Sequence, residues 1–189
     1  ASFTSILPTI TGTTVASDNS TVTITFSDRV YKDSSEGEPE TSDFTISVAN
    51  GSATVNATPT QISRSDKSYT LTIDYTSTPA DGGETLTVNP SSAGALQDIG
   101  GNAAASTQSN NTVSLNDKTS PTFSSINISN NDYVNHTEIG YTLSEAITSG
   151  SVRWTRTSGD ADANSPHTAN LTGSELNTGT KSIGTLTNG

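Results

Sequence analysis

Apolar and polar residues alternate along much of the first 117 positions. In 21–30 (TVTITFSDRV), Val22, Ile24 and Phe26 fall on one side, and Thr21, Thr23 and Thr25 on the other. A period of two predicts a strand with one buried face, because successive side chains of a strand point to opposite faces. The clearest instance is 68–76 (SYTLTIDYT), where Tyr69, Leu71, Ile73 and Tyr75 share a face. Residues 44–49 (FTISVA) place Phe44, Ile46 and Val48 together. Further strands are expected over 8–17, 53–63, 84–88 and 112–115. Pro59 interrupts the 53–63 strand and cannot donate a ladder bond, so that strand is expected at a sheet edge. Turn signals lie between the strands: Asn50-Gly51, Asp81-Gly82-Gly83 and the loop 31–43 (YKDSSEGEPETSD). In 91–103 (SSAGALQDIGGNA) the alternation stops, and a helical turn followed by a loop is expected.

About seven short strands at even spacing predict an Ig-like β-sandwich over residues 1–117. The pattern then restarts. A linker and a new first strand are read over 115–129, with Pro121 standing much as Pro8 does near the start of the first domain. Ile139, Tyr141 and Leu143 mark a second strand, and Val152 with Trp154 a third. A polar loop at 157–166 and strand candidates at 167–172 and 181–187 follow. Residues 118–189 thus read as a second, incomplete Ig-like β-sandwich with about five strands and no last pair. Such a sandwich exposes an apolar face and an unpaired edge. The expectation is that the chain is cut from a longer protein, or that another molecule supplies the missing strands.

Composition agrees with an all-β chain. Hydrophobic residues are 29% and aromatics 5%, which suits strands that bury alternate positions better than a helical bundle. Ser and Thr are about a third of the residues, and Thr is stiff at its branched Cβ and packs well on pleated surfaces. Cysteine is absent, which excludes thiolate metal sites, disulfide frameworks and Cys nucleophiles. The net charge is −11 with only eight basic residues, so no nucleic-acid partner is expected. Residues 1–117 carry 13 acids and 4 bases (−9), and residues 118–189 carry 6 and 4 (−2). No stretch approaches a membrane-spanning helix, and no membrane insertion is expected.

The run from TVTITFSDRV through DFTISV and SYTLTIDY to GETLTVNPSSAGALQDIGGNAAAS resembles bacterial Ig-like repeats of large surface and adhesin proteins. It is similar to the repeats of cyanobacterial swimming-motility surface proteins. Thr25-Phe26-Ser27 with Val30 matches that family's second-strand motif, and Asp98-Ile99-Gly100-Gly101-Asn102 matches its D-x-x-GN loop. The likeness covers most of 8–117, while 119–189 resembles the opening two-thirds of another Ig-like repeat type. It implies an extracellular or cell-surface protein whose repeats serve as spacers, stalks or adhesive modules. The partners implied are neighbouring repeats of the same parent protein or copies of itself, and glycans or proteins of a cell surface. Repeats of this kind stiffen their junctions with calcium, which points to Asp98, Asn102, Asn116 and Asp117.

Calcium wants six to eight oxygens. Besides those four residues, the 31–43 loop offers Asp33, Glu36, Glu38, Glu40 and Asp43. The same residues serve equally as Asx turn caps and a solvated acidic loop. No catalysis is expected. His136 and His167 lie in predicted loops, and no G-x-S-x-G elbow marks an activated serine. Seven N-x-S/T sequons, including Asn19 and Asn135, are near the number chance supplies in so Ser/Thr-rich a chain. Thr21, Thr23 and Thr25 could face ice or sugar, or be an ordinary solvent face. Trp154 is expected in the core with Val152, and Arg153 toward solvent. A carbohydrate-binding module would require a row of exposed aromatics, which the sequence lacks. The functional expectation is therefore a non-enzymatic structural or adhesive module. The alternative is a filament subunit in which Ala1–Ile10 of one copy completes the open sheet of the next.

Overall fold

The structure, a computed structural model, describes residues 6–77, 79–128 and 138–183. The described residues are nearly all strand, turn and loop, with two short 3-10 turns at Thr41–Asp43 and Gly173–Leu176. The chain divides into two compact units, Ala1–Thr119 and Ser120–Gly189.

The first unit has two antiparallel sheets. One is four-stranded: β1 (Ile10–Val15), β2 (Thr21–Phe26), β5 (Ser68–Thr72) and β4 (Ile62–Ser65), in that order across the sheet. The other has the order β3 (Phe44–Ala49), β6 (Thr85–Pro90) and β7 (Thr112–Ser114). The alternation in the sequence decides which face each strand buries. Val22, Ile24 and Phe26 of β2 and Tyr69 and Leu71 of β5 are buried, as are Phe44 and Ile46 of β3 and Leu86 and Val88 of β6. These side chains, from both sheets, belong to one apolar cluster. On the outer face the hydroxyls pair across strands: Thr23 with Thr70, and Thr25 with Ser68, each at 2.8 Å. The Thr array is thus internally hydrogen-bonded.

Tyr69 joins the parts. Its ring stands edge-on to Phe26 with centroids 5.9 Å apart and tilts against Phe44 at 6.0 Å. Its hydroxyl donates to the Val30 carbonyl at 2.8 Å and accepts from the Val30 amide at 3.2 Å. Val30 is buried just beyond β2, where no strand partner serves its backbone. One phenol therefore satisfies both of its polar groups. Burial raises the pKa of this hydroxyl, which keeps it a donor.

Three expectations need correction. The strand read over 53–63 begins only at Ile62, after Pro59, and Val55 makes a single isolated bridge to Tyr75. It does lie at a sheet edge, and it is joined to β5 through Asp66 and Lys67, with Asp66 at φ 54°. Residues 91–103 form no helix; Gly94 at φ 88° turns the chain, Leu96 fills the core, and Gln97 bridges to Tyr31 and Ala103. The 31–43 loop is not a freely solvated acidic run. Glu38 is paired with Arg29 and Arg64, and Glu40 with Lys32.

The second unit is sparser. β8 (Phe123–Ser124), β9 (Ile139–Leu143) and β12 (Gly179–Ile183) form one sheet in the order β12-β9-β8. β10 (Ser151–Trp154) pairs with β11 (His167–Asn170) in a separate two-stranded sheet. His167 opens a strand and does not lie in a loop, whereas His136 lies outside the described residues. The strand read over 181–187 begins earlier, at Gly179, and its expected end falls outside the described residues. Among the described residues the buried cluster of this unit is Tyr141, Leu143, Leu171 and Ile183, against seventeen buried residues in that of the first unit.

Replacing Tyr69 with Phe keeps the ring and strands both polar groups of Val30. The expected loss is about 1–3 kcal/mol of unfolding free energy for each group left unpaired. Urea denaturation of the full chain measures it, and a midpoint equal to that of the parent would refute the role given to the hydroxyl.

Candidate functional site

The four residues read as calcium ligands lie in two loops of the first unit. Asp98 is buried, and its carboxylate is turned toward N–H donors. Oδ1 accepts from the Asn102 amide at 2.8 Å, and Oδ2 from Asn102 Nδ2 at 2.8 Å. The backbone closes the same turn through Gly101 N–H to the Asp98 carbonyl, with Gly101 at φ 76°. Desolvation alone would push this carboxyl up. The hydrogen bonds from Asn102 and from the Gly100 amide outweigh it and hold the pKa below the usual Asp value. Each carboxylate oxygen of Asp98 thus accepts an N–H of the turn, which is the geometry of a turn cap.

Asn116 and Asp117 sit where β7 leaves the first unit. Asn19, at φ 61° in the β1–β2 turn, donates from Nδ2 to the Asn116 carbonyl at 2.7 Å. Its Oδ1 accepts from the Asn116 amide and from Asn116 Nδ2, both at 2.9 Å. Asn116 Nδ2 also reaches the Ala16 carbonyl at 3.1 Å. Asp117 Oδ1 caps the Thr119 amide at 2.9 Å. The Asn19–Asn116 pair therefore clips the exit strand to a turn 97 residues earlier. The sequence marks Asn19 only as a sequon, yet it is 2% exposed.

Glu84 is a third polar residue of the interior, and the alternation conceals it as the first residue of a strand. It is fully buried. Oε2 accepts from the amides of Asp81 and Gly82 at 3.0 and 3.1 Å, and Oε1 from the Ala53 amide at 3.3 Å. Gly51 lies directly against it: a Cβ there would come within 2.4 Å of Glu84 Cγ. The Asn50-Gly51 signal is real, with Asn50 at φ 67°, but the glycine is needed for this close approach and β3 pairs with β6. Among the described residues no three His, Asp or Glu side chains are grouped so as to hold a metal ion.

One concavity of the second unit is apolar. A cavity of about 410 Å³ opens between β8, β9 and β10, lined by Phe123, Ile126, Ile139, Tyr141, Val152 and Arg153. Phe123 and Ile126 are half exposed, at 50% and 55%. The Phe123 ring leans on Tyr141 with centroids 5.5 Å apart. Val152 and Trp154 pack on the unit's apolar cluster, while Arg153 between them is exposed. Among the described residues β10 pairs with β11 on one edge and with no strand on the other. At the start of β11, His167 Nε2 meets Asp162 Oδ2 at 2.8 Å. Asp162 also caps the Asn164 amide; that bond first, and His167 second, hold its pKa down.

No known protein family, curated protein or solved structure matches the chain.

Two substitutions test these interiors. Gly51→Ala forces Glu84 or its own backbone to shift, with an expected cost of about 1–3 kcal/mol from overpacking. Asp98→Asn removes an acceptor from the loop cap. Because the Asp98 pKa is depressed in the folded state, its contribution is complete above the ordinary Asp pKa of about 3.9 and lost as pH falls through the folded value. The stability gap between parent and variant is therefore expected to be full at neutral pH and to close in acid. Urea midpoints measured across that range check it, and a gap independent of pH would contradict the assignment.

Proposed function

We propose that this chain is a non-enzymatic structural module of a secreted or cell-surface protein, built on an Ig-like sandwich followed by a second, open one. The observation that carries the reading is the strand order of the first unit. Lettered A to G along the chain, β1 to β7 run A-B-E-D in one sheet and C-F-G in the other, which is the order of a seven-strand Ig-like domain. The shared apolar cluster between the two sheets supports the same assignment. The sequence resemblance to bacterial Ig-like surface repeats supports the functional part.

The second unit fits the same scheme in part. β8, β9 and β12 are paired as β1, β2 and β5 are, which makes them A, B and E. β10 is read in the place of C, with β11 paired to it. The polar interior of the first unit supports a mechanical role. Asn19–Asn116, Asp98–Asn102 and Glu84 all tie loops to backbone, and none leaves a nucleophile or acid aimed into a cleft. The proposed partners are adjoining repeats of a parent protein and the cell-surface molecules such a stalk would present.

Stretching single molecules between the two termini tests the reading. The first unit is expected to resist and then release cooperatively, extending by about 3.3–3.6 Å per residue freed. Gradual extension without a rupture would sink the module reading. The reading gives calcium no part at Asp98, Asn102, Asn116 or Asp117; it is supported by the N–H groups that donate to both carboxylate oxygens of Asp98 and to Oδ1 of Asp117. The melting temperature is accordingly expected to be the same in millimolar calcium and in chelator. A fall on chelation would restore the metal to these loops.

A further inference from the structure

The open groove of the second unit and the beginning of the first unit present complementary features on one chain. In the first unit, β3 pairs along one edge with β6, whose Leu86 and Val88 alternate into the core. In the second unit, β10 is read in the position of β3; it pairs with β11 along one edge, and among the described residues no strand pairs with its other edge. The floor beside it is Phe123, Ile126, Ile139, Tyr141 and Val152. Trp154 Nε1, on the same strand, is buried with no acceptor among the described residues. What fits there is an extended segment with apolar residues, added as a strand.

The chain carries a candidate for it in sequence. Pro8 is buried and Thr9 is bonded to Ser27. Just before Pro8, Ile6 is 76% exposed and Leu7 50% exposed, with no secondary structure. The sequence 1–7 reads ASFTSIL, with Phe3 and Leu7 in the same strand phase and no charged side chain in a chain that holds 19 acids. An uncharged strand suits an apolar groove whose charged lining residue is Arg153, since it brings no carboxylate to be desolvated. Length is sufficient too: seven extended residues reach about 23 Å, and the four residues of β10 span about 13 Å.

We propose that the groove between β8, β9 and β10 accepts the segment preceding Pro8 of a second copy of this chain, added as a β-strand on the free edge of β10. Segment and groove are different surfaces, so the contact is head-to-tail and each molecule keeps one of each for the next. The inference goes beyond the module reading, which stands or falls by its own stretching experiment whether or not copies associate.

Light scattering of the 189-residue chain over a range of concentrations tests it. The average mass is expected to rise above 19.4 kDa as concentration increases. Leu7→Asp damages the segment and Ile126→Asp damages the groove; each is expected to stay monomeric alone. Both positions are at least half exposed, and unchanged circular dichroism and melting would show that the fold is intact. Mixed together, the two variants are expected to form dimers and go no further, because the groove of the first can take only the segment of the second. The free peptide ASFTSIL is expected to reverse the parent's association. A parent that remains at monomer mass at every concentration overturns the proposal and leaves the groove to strands of another protein. Association that survives both substitutions also overturns it, by placing the contact elsewhere.

Discussion

The hydroxyl of Tyr69 serves the amide and the carbonyl of Val30, and much of the first unit is arranged around that pair of hydrogen bonds. Where β2 ends, the chain must leave its sheet with the Val30 backbone still in the interior. An unpaired buried backbone group costs as much as a lost hydrogen bond, so the exit needs a local donor and acceptor. Tyr69 provides both from the next strand of the same sheet. Its ring meanwhile packs on Phe26 from one sheet and Phe44 from the other. With Val30 held, Tyr31 bridges Gln97, and Arg29 lies over the Tyr31 ring at 4.7 Å while it pairs with Glu38. The path of the 31–43 loop thus follows from a contact in the core.

The same requirement explains the buried carboxylates. Asp98 and Glu84 have no basic partner in their hydrogen bonds; each is held by backbone amides and, for Asp98, an asparagine side chain. An anion placed among N–H donors is stabilised without a counter-ion, and in return it orders the loop that supplies them. That is also why the residue types alone leave two roles open at these sites. Asp and Asn at a junction suit a cation if their oxygens converge on open space, and suit a turn if they converge on amides. At Asp98 and Asn102 the amides are there.

The two units differ in how far their apolar surface is covered. In the first, both sheets contribute to one cluster that holds Tyr69, Leu71, Leu86, Val22 and Ile24 out of water altogether. In the second, the β12-β9-β8 sheet and the β10–β11 pair leave Phe123 and Ile126 half in solvent, beside an edge of β10 that no strand among the described residues pairs with. Apolar side chains at half exposure forgo much of the about 1.5–3 kcal/mol that full burial provides. An open edge with an apolar floor is the physical definition of a place for one more strand.

The strands themselves were legible in the chain, because a period of two leaves the same imprint whatever the partner. Phe44–Ala49 has the bounds that alternation alone assigns, and Thr21–Phe26 and Ser68–Thr72 keep the predicted inward residues. The edge strand expected over 53–63 because of Pro59 is instead Ile62–Ser65, beyond that proline, since the segment before it makes only an isolated bridge. What the tertiary structure decided are the roles of single polar residues. Asn19 and Asn116 stand 97 positions apart, and no local pattern announces that they bind each other. Glu84 looks like an exposed strand end until the amides of Asp81, Gly82 and Ala53 are folded around it. Gly51 reads as a turn glycine until the carboxylate beneath it is seen. Periodicity is a property of neighbours along the chain and survives in the sequence. Hydrogen-bond partners and close approaches are properties of neighbours in space, which only the packing of the sheets brings together.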